Sequence, residues 1–197
     1  MVCLAPFLIQ NKMACDLSRG RSLECKDSVG GLQDVYFINF GTDLTITYDG
    51  SDRDVITEMV ASADTVSAYK YELKGTNSLE QNINTSRENG TTFWEQVLNL
   101  QLTGLTKEDH KELKLLCYGR PHVIVVDHNL NAFVVGLEHG ADVTAGTIVT
   151  GAAMGDLSGY TLTLTANEVS PANFAIPATA YTTPDTLMQE LGFTVVS

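Results

Sequence analysis

Thr161-Leu162-Thr163-Leu164-Thr165 is the stretch on which the reading of this chain turns. Apolar and hydroxyl side chains alternate without a break, the two-residue period of a strand with one buried face. Threonine is β-branched and packs well on a pleated surface. The leucines therefore face a core, and the threonines face solvent or a neighbouring subunit. Working outward, the same alternation predicts strands over Val35–Phe40, Leu44–Tyr48, Asp54–Val60, Val66–Leu73, Thr92–Leu102, His122–Asp127, Ala132–Leu137 and Gly159–Ala166. In the first of these, Val35, Phe37 and Asn39 point one way while Tyr36, Ile38 and Phe40 point the other. A strand apolar on both faces belongs inside a sandwich or barrel.

One principal helix flanks these strands. Thr106 caps its start, Asp109 sits three residues on as in a capping box, and Gly119 closes its end. Leu113, Leu116 and Cys117 form its apolar stripe, with Lys107, Glu108, Lys111 and Lys114 solvated. On this reading Cys117 is a small core residue. A shorter helix is expected at Thr186–Leu191, begun by Pro184-Asp185 and ended by Gly192. The fold class is therefore mainly β, a sandwich or barrel with one principal flanking helix, and α+β by content.

The chain has 197 residues, enough for one core, and residues 13–197 read as a single domain. Hydrophobic content of 44% and charged content of 18% exclude a disordered, collagenous or coiled-coil chain. Twelve Lys and Arg against 24 Asp and Glu give a net charge of −12, which argues against gripping a phosphate backbone. The charge is unevenly placed. After Arg120 there is no Lys or Arg, while Asp127, Glu138, Asp142, Asp156, Glu168, Asp185 and Glu190 remain. This acidic part is either a solvated face or a surface that passes a polyanion without holding it. No run approaches the roughly 20 apolar residues that span a bilayer, so no membrane partner is expected.

Val2–Ile9 is apolar but has no basic segment before it and contains Pro6, a poor match to a secretory leader. Met13 offers a second start, and residues 1–12 read as a dispensable arm or a start-site artefact. Cys3, Cys15, Cys25 and Cys117 make no CxxC pair and no ligand spacing. Reduced thiols are expected.

Two stretches look irregular. Asn77–Gly90 is polar and ends in the turn signal Glu88-Asn89-Gly90. Asn84-Thr85-Ser86 and Asn89-Gly90-Thr91 match the glycosylation sequon and are read as turn chemistry. Residues 140–159 hold five glycines among small residues and read as an extended loop, a flexible hairpin or arm. A phosphate loop is excluded there, because GxxxxGK[ST] is absent and Asp142 and Asp156 repel phosphate.

The search for chemistry yields no catalytic, cofactor-binding or metal residue. His110, His122, His128 and His139 form no HExxH. Asp127-His128-Asn129-Leu130-Asn131 reads as a turn between two strands rather than as a metal or triad site with His122. GxSxG is absent, and Ser158 lies in a turn. Asp43, Asp49, Asp52 and Asp54 lack the glycine and terminal glutamate of an EF-hand. The chain does not read as an enzyme.

Three stretches carry a resemblance. The first is Ser18-Arg19-Gly20-Arg21 with Cys25-Lys26-Asp27-Ser28-Val29-Gly30-Gly31-Leu32, then Val35-Tyr36-Phe37-Ile38-Asn39-Phe40-Gly41. The second is Leu113-Lys114-Leu115-Leu116-Cys117-Tyr118-Gly119-Arg120. The third runs Asp142-Val143-Thr144-Ala145-Gly146-Thr147, Thr150-Gly151, Gly155-Asp156-Leu157-Ser158-Gly159-Tyr160, and ends near Glu168 and Pro171-Ala172. Together, over roughly residues 13–175, they resemble the tail tube and the tail or neck ring proteins of tailed bacteriophages, as in crAss-like and related phages.

The resemblance implies a tail-tube-like β domain and a non-enzymatic virion structural role. It implies a closed homo-oligomer, sixfold or twelvefold, enclosing the DNA passage, with neighbouring tail or portal proteins as partners and DNA passing without specific binding. Localisation would be the virion tail, assembled in the host bacterial cytoplasm. Val143, Thr144, Ala145, Gly146, Thr147, Gly151 and Gly155 are the candidate inter-subunit loop. Glu138, Asp142 and Asp156 are the candidate acids of the lumen or stacking face. Deleting 143–155 is expected to leave a folded monomer that does not assemble. A tail terminator or baseplate adaptor would share the fold. A secreted carbohydrate-binding β-sandwich would want exposed aromatics in a groove, whereas Trp94 is the sole tryptophan and sits in an alternating strand.

Overall fold

The computed structural model describes residues 20–21, 26, 28–42, 44–50, 52–61 and 66–197. The arm at 1–12, the start at Met13, Cys3, Cys15, Cys25 and Asp43 lie outside the described residues. Twelve strands and two helices follow one another among the described residues: β1 Leu32–Ile38, β2 Leu44–Asp49, β3 Asp52–Ala61, β4 Val66–Glu72, β5 Ser78–Ser86 and β6 Thr91–Thr103, then α1 Lys107–Leu116. β7 His122–Asp127, β8 Ala132–Val135, β9 Asp142–Val149, β10 Gly159–Glu168 and β11 Asn173–Ala175 precede α2 Pro184–Glu190 and β12 Phe193–Val196. The fold is mainly β, as expected.

The strands form two sheets. One has eight strands in the order β12-β4-β1-β7-β8-β11-β3-β2, and the other has four in the order β5-β6-β10-β9. The two-faced pattern of β1 has a direct structural meaning. Val35 and Phe37 enter a core shared with β7, β6 and β10, through Val123, Val125, Leu98, Leu100, Leu162 and Leu164. Tyr36 and Ile38 enter a second core with Ile124, Val126, Ile56, Met59, Leu187 and Phe193. β1 and β7 are thus the wall between two cores. One core lies between the sheets, and the other lies inside the curl of the larger sheet.

That curl is held across its opening. β12 and β3 are far apart in strand order, yet Met59 N donates to Leu191 O at 2.8 Å, where α2 leads into β12. Leu187, Met188 and Leu191 are fully buried and plug the second core. α2 begins as its sequence requires: Thr183 caps it reciprocally with Thr186, with Pro184 at its first turn. α1 is also capped as expected, Thr106 accepting from Asp109 N at 3.0 Å.

Four expectations are corrected. Ser78–Ser86, within the stretch read as irregular, is strand β5 paired with β6 along its length. Asn84 accordingly lies in that strand and not in a turn, while Asn89-Gly90 does turn, Gly90 having φ +63°. Residues 142–149 of the supposed extended loop form strand β9 paired with β10, so of the readings of 140–159 the hairpin stands and the loop or arm falls. Cys117 is exposed, and only Leu113 of the helix is buried. The helix lies nearly on the surface, seated by buried Leu113 with half-buried Leu116 against the core between the sheets.

Candidate functional site

The glycine-rich stretch is the outer strand and turn of a hairpin. β9 pairs antiparallel with β10, Val149 opposite Gly159 through to Asp142 opposite Thr165, with a bulge at Thr163/Leu164. Val143 packs against the core between the sheets. Thr144, Ala145, Gly146, Thr147 and Ile148 are exposed, on both faces of the strand, and Ile148 is 58% exposed. β9 is therefore an edge strand with one side of its backbone ladder unpaired among the described residues.

The glycines in this hairpin serve different ends. A Cβ on Gly159 would sit 2.0 Å from Leu102 O, and one on Gly146 2.8 Å from Thr161 O. Both are glycine because neighbouring backbone comes too close. Gly151 has φ +75° and opens the turn. Gly155 meets nothing within 4 Å and is not conformationally required. The turn is organised by Asp156, whose Oδ2 accepts from Ala152 N at 2.9 Å and Ala153 N at 2.7 Å. Those two backbone hydrogen bonds hold the carboxyl of Asp156 below its ordinary range.

The threonines of β10 behave as their alternation predicts. Tyr160, Leu162, Leu164 and Ala166 are buried. On the other face Thr161 bonds Thr147 at 2.6 Å, Thr163 donates to Asn99 Oδ1 at 3.0 Å, and Thr165 bonds Thr144 at 3.1 Å. The result is a hydroxyl and amide face along β9, β10 and the adjoining part of β6, uncharged except for Asp142 opposite Thr165 at the start of β9. Towards β5, Glu95 and Glu80 bring charge into it, opposite Asn82 and Val97.

The three acids do not converge. Asp142 starts β9 and Asp156 lies in the turn beyond its far end, so the strand separates them by at least about 20 Å. Glu138 belongs to the end with Asp142, in the turn between β8 and β9. There it meets two residues that no spacing rule connects. Glu168 Oε1 accepts from Glu138 N at 3.2 Å and His139 N at 3.0 Å, and Glu168 Oε2 lies 3.1 Å from His139 Nδ1. The carboxylate and imidazole donor atoms of Glu138, His139 and Glu168 all lie within 4.8 Å of one another.

The turn that carries Glu138 and His139 is pinned. Gly140 N donates to Gly136 O at 3.1 Å, and the same carbonyl accepts from His122 Nδ1 at 2.8 Å. Gly136 N donates to Gln96 Oε1 at 3.0 Å. A Cβ on Gly136 would be 2.5 Å from the Gly140 carbonyl carbon, so that position requires glycine. His122 is thus a buried turn fastener. His128 lies at the far end of β7 with its ring against Gly31, so the two do not share a site. His110 lies beside Tyr160, ring centroids 6.4 Å apart.

Asp127 accepts from Asn129 N at 2.8 Å and Asn131 N at 2.7 Å, which makes 127–131 the tight turn expected. Asp52 accepts from Asp54 N at 3.0 Å in the hairpin of β2 and β3, ordinary turn chemistry. Among the described residues no helix is long and apolar enough to cross a membrane. No family model, curated protein or solved structure matches the chain.

Proposed function

We propose that this chain is a virion structural protein, a subunit of a phage tail tube or of a tail or neck ring, assembling as a closed homo-oligomer around the DNA passage. The observation that carries this reading is the edge of β9. Natural sheets protect exposed edges with Lys, Pro, short length or a strong bulge. Asp142–Val149 runs for eight residues with no Lys, Arg or Pro, and its bulge falls at the start, leaving the remainder regular. A long unprotected edge suits pairing with another chain, where main-chain hydrogen bonds supply affinity.

Charge supports the same reading. From Pro121 onward there is no Lys or Arg, and the net charge is −12. A wall of that sign lets a polyanion pass without counterion release and tight binding. A ring also requires two different surfaces on each subunit, met head to tail. The β9 edge is one, and the β5 edge at the other side of the same sheet is available as its complement.

Light scattering on the purified protein, with negative-stain microscopy, tests the reading. Rings or short tubes are expected, and their symmetry would be counted directly. A strict monomer at every concentration, with and without neighbouring tail proteins, would count against it.

A further inference from the structure

We propose that Glu138, His139 and Glu168 form a binding site for one divalent transition-metal cation of the zinc class. Glu168 is the anchor. Its side chain is 4% exposed, and Oε1 is committed to two backbone N–H groups. That leaves Oε2 held in place and facing His139 Nδ1 at 3.1 Å. Two ligands bonded to one tetrahedral metal at about 2.1 Å stand about 3.4 Å apart, so this pair need open by only about 0.3 Å to become adjacent ligands.

The charge around Glu168 points the same way. A buried carboxylate is ordinarily hydrogen-bonded and either paired with a charge or bound to a metal. Among the described residues, the ion pairs are Lys70 with Asp34 and Asp185, and His139 with Glu168. Glu168 thus has no Lys or Arg partner, and its one conditional partner is a histidine that is 61% exposed. A bound dication would supply that missing charge.

Glu138 completes the set. Its side chain is exposed and free to turn, and its carboxylate lies within 4.8 Å of the other two donor atoms. Tetrahedral ligands at about 2.1 Å stand about 3.4 Å apart, so a rotation of this exposed side chain that brings its carboxylate up to about 1.4 Å nearer closes the site. The pinned turn from Gly136 to Gly140 holds the backbone of both Glu138 and His139 while this happens. One imidazole nitrogen with two carboxylate oxygens selects zinc-like ions over Mg²⁺ and Ca²⁺, which take six or more oxygens. The open side leaves a position for water. Such an ion would tie the turn after β8, in the larger sheet, to the end of β10, in the smaller one. The site is independent of the assembly reading.

Calorimetric titration of the full chain with ZnCl2, alongside Glu138→Gln and His139→Ala, tests it, with Mg²⁺ and Ca²⁺ as comparison ions. One equivalent of zinc is expected to be lost, or weakened at least tenfold, in each variant. Zinc is expected to raise the melting temperature of the wild type and not that of Glu138→Gln, whose ion-free melting should match the wild type. Co²⁺ bound in place of zinc should absorb as a nitrogen and oxygen site, without a thiolate charge-transfer band. Unchanged zinc stoichiometry in both variants, no zinc-dependent stabilisation, or cobalt bound only through thiolate would overturn the proposal.

Discussion

Tyr36 Oη donates to Asp185 Oδ1 at 2.7 Å, joining the wall strand β1 to the first turn of α2 across 149 positions of sequence. Lys70 Nζ reaches the same oxygen at 2.9 Å and lies 3.9 Å from Asp34 Oδ2. Tyr36 is fully buried, so its hydroxyl needs this acceptor. Replacing Tyr36 with Phe removes one bond to a charged group, and a loss of about 1–2 kcal/mol is expected in urea unfolding.

The same cluster sets an acid dependence. The Lys70 hydrogen bond, helped by that of Tyr36, holds the carboxyl of Asp185 below its ordinary range. A carboxyl lowered on folding contributes stability above its unfolded value, which is lost as pH falls through the folded one. Burial raises Asp34, which works in the opposite sense and favours the protonated fold. Asp185→Asn should therefore flatten the loss of stability on acidification below about pH 4, and Asp34→Asn should not. Thermal melts from pH 2 to 7 measure the difference.

Gly192 is where the curl of the larger sheet closes. Its φ of +103° disfavours any side chain, and a Cβ there would lie 3.0 Å from Met59 O, beside the Met59–Leu191 hydrogen bond. Gly192→Ala is expected to cost about 1–3 kcal/mol, from backbone strain and a disturbed contact together. Equilibrium unfolding of the variant checks it.

What the amino-acid order revealed tracks how deeply each strand is buried. β1, β7 and β10 were legible because both or one of their faces meet a core, which imposes an apolar period on the residues. β5 and β9 were not, because each is an edge strand of the smaller sheet with exposed faces. Only Leu79 and Val143 pack against the core from them, too few anchors for a period to show. Pairing with β6 and β10 makes them strands in spite of their composition. β12, only four residues long, owes its place to parallel pairing with β4. The Thr106 cap was local and so was read correctly, whereas α1 is capped at Cys117 rather than closed by Gly119, and the Thr183 cap of α2 was not read. The cluster at Glu138, His139 and Glu168 escaped because its two halves are 30 residues apart and meet only when β10 returns alongside.

Placing 142–149 in a sheet changes what a deletion would do. Removing 143–155 would strip β9 from β10 and take Val143 from the core, so an unstable protein is expected rather than a folded monomer. Single glycine substitutions separate the roles more cleanly. Gly159→Ala drives a Cβ into the Leu102 carbonyl at 2.0 Å and should lower stability by about 2–4 kcal/mol. Gly155→Ala, with open space around it, should be neutral to within about 0.5 kcal/mol. Denaturant midpoints of the two variants decide this.

The edge itself is best tested without touching the core. Thr147 and Ile148 are exposed on β9, and lysine is the residue with which natural edges repel a second strand. Thr147→Lys with Ile148→Lys adds two positive charges to an edge that has none between Val143 and Val149. The folded chain should keep its melting temperature within a few degrees, since neither side chain is buried. Its oligomer should dissociate to monomer in light scattering under conditions where the wild type is assembled. Thr163→Lys, on the adjoining strand away from the edge, provides the contrast. If assembly runs through the edge, that variant stays assembled. If assembly runs through the flat threonine face, Thr163→Lys is the one that falls apart, and β9 loses its assigned role.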